Sequence, residues 1–158
     1  MQTFLPYLGE AETPLAYFEE CSGLLDQKRL GKQRVENLQI MKALTTGRGW
    51  INHPVTKMWR GYEFSLLTYQ KAICDEWTIN LGFDDTCFVK TAALYFSHFT
   101  QDDDGPTPPW LGDPLMVRTH QANLLRKDYE YYIQRFPEWK DKPMEDILFT
   151  PYYYPPTK

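Results

Sequence analysis

A chain of 158 residues, 42% hydrophobic and 16% aromatic, is long enough to bury a core without disulfides or metals and too short for a second full domain, so residues 1–158 read as one domain. No run of about 18 apolar residues occurs, and the opening MQTFLPYLGE lacks the basic start and apolar stretch of a signal peptide, which predicts a cytoplasmic protein with no membrane partner. The net charge of −4 excludes a uniformly basic nucleic-acid binder, yet from Gln27 to Arg60 eight basic residues accompany one acid, Glu36, leaving −11 for the rest of the chain; this is either a cationic face on an acidic body or an ordinary solvated helix face.

Up to Leu25 the periodicity is weak, and the stretch reads as an N-terminal arm with one short helix near Pro14. The segment DQKRLGKQRVENLQIMKALTTG has a capping residue in Asp26 and a terminator in Gly47, and predicts the first long helix, with Gly31 weakening its first turn. On it Arg29, Lys32, Gln33 and Glu36 share one face, while Leu30, Leu38 and Met41 lie on another. After the turn GRGWINHP, Pro54 suits a first helical position with Asn52 or His53 as cap. Val55, Trp59, Tyr62, Leu66, Tyr69, Ile73 and Trp77 then recur at helical spacing, predicting one helix stopped by Gly82. The segment DDTCFVKTAALYFSHF has no clean period and is read as a helix in preference to a buried extended piece. QDDDGPTPPWLGDP must be loop, Asp113–Pro114 opens a last long helix through Phe136, and the tail beyond Pro137 is non-helical and packs its aromatics back over the domain. The predicted fold is mainly α, with three or more main helices, a long Pro-rich loop and an aromatic C-terminal tail.

Among the chemically capable residues Glu36 stands out. Flanked by Arg29, Lys32 and Arg34 it should be held ionised and able to stabilise positive charge developing on a sugar, the requirement of N-glycosidic cleavage; the plainer alternative is a helix salt bridge to Lys32. His53, at a helix start, should have its pKa lowered by the helix dipole, or simply serve as a cap. His120, with Arg118, Arg126 and Lys127 nearby, suits phosphate binding or is an exposed helical histidine; His98 has no supporting context. The three histidines lack metal-ligand spacing, and Asp102, Asp103 and Asp104 lack that of a calcium loop and read as solvated loop, so no metal is expected. No cofactor is expected either, since phosphate-cradling and dinucleotide motifs are absent. Cys21, Cys74 and Cys87 form no CxxC pair and read as buried free thiols. Trp50, Trp59 and Trp110 could wedge into DNA; Trp59 sits on the apolar stripe and belongs to the core, which leaves Trp110 as the more exposed ring.

The segments LDQKRLGKQRVE, GWINHPVTKMW and HQANLLRKDYEYY resemble the landmark segments of the pyrimidine-dimer DNA glycosylases, the phage endonuclease V family, over roughly Leu25 to Phe136. Cellular members carry an LD pair followed ten residues after the Asp by the functional glutamate, here Glu36, and an aromatic separated by two residues from His-Pro, here Trp50 and His53–Pro54. The resemblance implies a small all-α fold with its N-terminus tucked into the active site, Glu36 as catalytic carboxylate, Arg34 on the lesion's phosphates and His53 lining the site. Gln121, Ala122, Leu124 and Lys127 match a segment whose lysine contacts DNA, with Asn123 standing where an arginine is usual. The phage prototype attacks deoxyribose C1′ with its N-terminal amine to form an imine. Gln2 is too large for routine methionine removal, so that amine would belong to Met1, with Lys32 as substitute.

These readings predict a DNA glycosylase, with or without AP-lyase activity, acting on a damaged or modified base in double-stranded DNA and nucleoid-associated in the cytoplasm. Its DNA-contacting set would be Arg29, Arg34, Trp50, Arg60, Trp110, Arg118, His120, Asn123 and Lys127. The alternatives are a non-catalytic nucleic-acid-binding module on the same fold, or a protein-interaction domain using the Pro-Tyr-rich tail. The oligomeric state is left open.

Overall fold

A computed structural model describes residues 1–100 and 105–155, and every regular element among them is helical, as the mainly α expectation required. Asp102, Asp103 and Asp104, read above as solvated loop, and residues 156–158 of the tail lie outside the described residues. The chain opens as an extended segment that is buried from Thr3 to Pro6. Thr13 accepts from the amide of Ala16 and Pro14 occupies the first turn of α1 (Pro14–Leu24), the short helix expected in the arm. The first long helix, α2 (Gln27–Thr46), has Asp26 at its N-cap and ends on Gly47 at φ 68°. Gly31 has a packing reason: a Cβ there would come within 3.0 Å of the Trp77 ring.

The apolar stripe from Val55 to Trp77 is divided among three pieces. His53 caps α3 (Pro54–Trp59), Gly61 turns the backbone at φ 88°, and α4 (Glu63–Asp75) follows before a π-helical turn at Glu76–Asn80 that stops at Gly82. Periodicity missed the break because the turn at Gly61 returns Tyr62 to the side of the core that Trp59 already faces. The ambiguous segment is helix α5 (Cys87–His98), opened by the Asp85 carboxylate accepting from the amides of Cys87 and Phe88.

The last long helix is likewise two. Asp113 caps α6 (Pro114–Lys127) as expected, but Asp128 leaves the helical region at φ −155°, ψ 83°, and its carboxylate accepts from the Tyr131 amide to start α7 (Tyr129–Arg135). The tail, expected to be non-helical, carries a 3₁₀ turn at Pro137–Asp141 and α8 (Met144–Phe149) before Tyr152, Tyr153 and Tyr154 fold back against the core, as anticipated.

Helix α2 packs on α4 and α5, α1 covers α4, and α6 carries α7 and α8. Trp59 is wholly buried, stacked on Tyr69 (5.9 Å between ring centroids) and met edge-on by Trp110 at 4.9 Å. Trp110 is therefore core, at 6% exposed, and not the exposed ring expected: the Pro-rich loop turns back through hydrogen bonds from Leu111 to Pro108 and from Asp113 to Trp110, tucking the indole under Trp59 and Tyr62. Cys21, Cys74 and Cys87 are free and buried. Among the described residues no helix is long and apolar enough to cross a membrane.

Gly61 is exposed and a Cβ there would meet open space, so Gly61→Ala tests backbone strain alone. At φ 88° the substitution should cost about 1–2 kcal/mol, read as a lower urea midpoint at unchanged m-value. An unchanged midpoint would mean that the α3–α4 break relaxes without strain.

Candidate active site

The face of α2 that carries Gln33, Glu36 and Asn37 does not meet solvent, because the extended N-terminal segment lies over it. Having no strand partner, that segment must satisfy its peptide groups with side chains. Gln33 accepts from the Phe4 amide (3.1 Å) and donates to the Gln2 carbonyl (3.1 Å); Tyr69 donates to the Phe4 carbonyl (2.6 Å); His120 Nδ1 accepts from the Leu5 amide (3.0 Å); Gln121 donates to the Pro6 carbonyl (2.9 Å). The Tyr152 hydroxyl accepts from the Thr3 amide and donates to the Thr3 carbonyl, while the Trp59 indole N–H reaches the Thr3 hydroxyl at 3.0 Å.

This threading places Gln2 over Glu36, whose Oε2 accepts from the Gln2 amide at 3.4 Å and whose Oε1 lies 3.9 Å from Lys32 Nζ. Cations favour the ionised form of this carboxylate, but burial opposes them. Glu36 is only 8% exposed, and burial pushes its pKa above the usual glutamate range against the opposing pull of Lys32, the Gln2 amide, the Met1 ammonium and Lys127. The two arginines are engaged elsewhere: Arg29 pairs with Asp26 at 3.3 Å, and Arg34 pairs with Asp85 while its guanidinium stacks 4.5 Å from the Trp77 ring centre.

His53 caps α3, its Nδ1 accepting from the Val55 amide at 3.1 Å. Its pKa is lowered, as anticipated, through burial and then the Met1 ammonium. The charge at Met1 acts on both Glu36 and His53, the neighbouring Gln2 amide contacts the Glu36 carboxylate directly, and the exposed Lys32 reaches the same carboxylate. A cavity of about 240 Å³ opens here, lined by Gln2, Phe4, Lys28, Arg29, Lys32, Glu36 and Lys127. The Lys127 ammonium is weakened by burial and then by Arg29 and Lys32. A wider groove of about 800 Å³ shares Lys28, Arg29 and Lys32 and continues to Arg34 and Trp77.

Trp50 is 54% exposed and meets His53 edge-on at 5.9 Å, so it stands at the rim of this site, and Arg60 is tied to the same turn through the Ile51 carbonyl. Arg118 is exposed on α6 and lines neither cavity. His120 is fully buried: Nδ1 is occupied by Leu5, the ring stacks on Tyr152 at 4.5 Å, and burial pushes its pKa down to about 3, so it is neither exposed nor placed to bind phosphate. Asn123 is also buried, its amide spent on the Thr119 carbonyl. Sequence reasoning missed Gln2, Phe4 and Lys28 in the cavity wall and Tyr154, whose ring meets His53 at 6.2 Å. Phe4 lay in the short Phe4–Pro6 apolar stretch of an arm without helical period and Lys28 in the cationic run, while Gln2 and Tyr154 gave no local signal. Among the described residues no three His, Cys, Asp or Glu side chains gather into a possible metal site.

Residues 1–91 match the family model described as pyrimidine dimer DNA glycosylase, a stretch that contains Met1, Lys32, Glu36 and His53; the segment around Gln121 and Lys127 lies beyond it. No curated protein and no solved structure matches the chain.

The His120 contact carries a pH dependence. Its folded pKa lies near 3 and its unfolded value near 6.5, so the unfolded chain takes up the proton first, and the stabilisation, complete above about pH 6.5, is lost as pH falls towards 3. His120→Asn, whose amide oxygen can still accept from Leu5 without titrating, should lose less stability than wild type between pH 7 and pH 4.5 in paired urea titrations. Parallel losses would show that His120 is not held neutral.

Proposed function

This chain belongs to the pyrimidine dimer DNA glycosylase family, and from that premise we propose that it severs the N-glycosidic bond of a damaged pyrimidine in duplex DNA by attack of the Met1 amine on C1′, assisted by Glu36. Family membership supports a DNA glycosylase-type function on pyrimidine dimers. The observation that carries the finer reading is the convergence of the Met1 ammonium, the buried Glu36 carboxyl and His53 beside a cationic cavity.

In the proposed reaction Met1, having lost its ammonium proton to solvent, forms a bond from its nitrogen lone pair to C1′ as the glycosidic electron pair leaves with the base, which takes up a proton from solvent. Loss of the amine proton and opening of the C1′–O4′ bond then give an imine, with O4′ becoming a hydroxyl. The Glu36 carboxylate stabilises the positive charge on the sugar and accepts the amine proton. For strand cleavage, removal of a C2′ proton expels the 3′ phosphate as the C3′–O bond breaks; His53, kept neutral by its surroundings, is the nearby base available to the site. Lys28, Arg29, Lys32 and Lys127 hold backbone phosphates, with Arg34 and Arg60 flanking, and Trp50 fills the space left when the nucleotide is extruded. Concentrating cations along one groove of an acidic chain makes this binding local and salt-sensitive, in keeping with a cytoplasmic protein acting on nucleoid DNA.

Borohydride trapping on thymine-dimer duplex should yield a covalent adduct whose peptide maps to Met1, and Glu36→Gln should slow single-turnover base release by roughly 10²–10³-fold. An adduct on Lys32 would move the nucleophile to that residue, and full activity in Glu36→Gln would sink the carboxylate's role.

The acid limb of the single-turnover rate profile should lie above the ordinary glutamate pKa, because burial raises Glu36 and only its carboxylate form acts. Lys32→Gln removes a cation that favours that form, so the limb should move to still higher pH. A limb unmoved by this substitution would separate Lys32 from Glu36 electrostatically.

A further inference from the structure

The tail lies outside the matched stretch of residues 1–91, yet it reaches the centre of the site. Two anchors on α6 set its register: Arg126 donates to the carbonyls of Ile147 (2.5 Å) and Thr150 (2.8 Å), and the Thr119 hydroxyl accepts from the Tyr153 amide at 3.2 Å. Between these anchors and buried Pro155, Tyr152 and Tyr154 turn inwards. The Tyr152 ring stacks on His120 (4.5 Å, 15° between planes) and its hydroxyl closes on both polar atoms of the Thr3 peptide backbone. Burial keeps this phenol un-ionised, so its proton is available to the Thr3 carbonyl. Tyr154 leans on Tyr152 at 4.6 Å and meets His53 edge-on, and the charge of Glu36 acts on both phenols.

We propose that Tyr152 is a positioning residue for the reaction: by gripping Thr3 on both its amide and its carbonyl it fixes the reach and direction of the Met1 amine towards Glu36. Gln33 grips Gln2 and Phe4, and His120 grips Leu5, but both sit on long helices and hold the segment from beneath; Tyr152 is the hydroxyl contact from the C-terminal tail to the residue two positions from the amine. Two bonds to one residue, one on each of its flanking peptide groups, restrain φ and ψ of Thr3, which a single bond does not. A nucleophile displaced by about an ångström forfeits much of the benefit of being pre-oriented. This inference rests on the Met1 amine being the nucleophile.

The test uses the full chain, thymine-dimer duplex at saturating concentration and borohydride to trap the imine in a single turnover. Tyr152→Phe keeps the stack on His120 and removes both bonds to Thr3. Its trapping rate should fall at least about tenfold with DNA affinity within about twofold, a loss in the rate at saturation that more DNA does not restore. Thr119→Val, which loosens the tail without touching the N-terminal segment, should give a smaller loss of the same kind, and it decides the matter alone if Tyr152→Phe does not fold. Ile73→Val, a buried change in α4 that lowers stability without touching the site, should trap at the wild-type rate. Wild-type trapping by Tyr152→Phe, or an equal loss in Ile73→Val, overturns the positioning role. A wild-type adduct that maps away from Met1 overturns the amine assignment and this inference with it, whereas an adduct on Met1 with an unaffected Tyr152→Phe overturns the positioning role only.

Discussion

The interaction on which the site depends is the satisfaction of a buried extended segment by side chains. Thr3 to Pro6 pass through the interior of an all-helical body where no strand can pair with them, and an unpaired peptide group there would cost about as much as a lost hydrogen bond. Gln33 from α2, Tyr69 from α4, His120 and Gln121 from α6 and Tyr152 from the tail each supply what a neighbouring strand would have supplied. The consequence runs both ways. Helices α2 and α6 must carry polar residues where a simple amphipathic helix would carry leucines, and the N-terminus is fixed in register against Glu36.

That requirement explains where the sequence was legible and where it was not. Caps and stops such as Asp26, Gly47, Asp113 and Gly82 act over a few residues and can be read locally, so the span of α2 and the start of α6 followed. Gly61 and Asp128 divide two apolar stripes because periodicity records which residues face the core and is silent about a turn that preserves that facing. Trp110 and His120 were misplaced for a common reason. Each has neighbours, prolines in one case and basic residues in the other, that imply a surface, while its own burial is decided by a distant partner: Trp59 for the indole, Leu5 for the imidazole. Glu36 was legible from its charged helix face and His53 from its place at a helix start, and the family pattern pointed to both, whereas their companions Gln2, Phe4 and Tyr154 come from the chain ends, whose contacts span more than 30 residues and leave no local period.

Charge is arranged with a similar division of labour. The excess of cations between Gln27 and Arg60 gives the groove its sign, but the two arginines nearest Glu36 are already committed, Arg29 to Asp26 and Arg34 to Asp85 and Trp77. An uncommitted guanidinium beside the carboxylate would form a bidentate pair and hold it firmly ionised. What remains is Lys32 at 3.9 Å with 69% of its side chain exposed, a weakly held and solvent-screened partner. The groove is therefore cationic towards phosphates while the buried Glu36 carboxylate stays under-compensated.

Under-compensation is what the proposed chemistry needs. A carboxylate already satisfied by a strong ion pair gains little when positive charge appears on a sugar, because it would have to trade one partner for another. Burial raises the cost of the Glu36 charge in the resting site, and the cations that oppose it act through one long lysine contact, one 3.4 Å amide and more distant ammonium groups. A cation forming within the same low-dielectric cavity meets that carboxylate with little competition, so the interaction strengthens as the glycosidic bond breaks. The threaded N-terminus serves both halves of this arrangement: the Gln2 amide and Phe4 ring help exclude water from Glu36, and the same backbone delivers the Met1 amine to it. Burial of the carboxylate and placement of the proposed nucleophile are in this way one structural event, set by the side chains that hold residues 2–6.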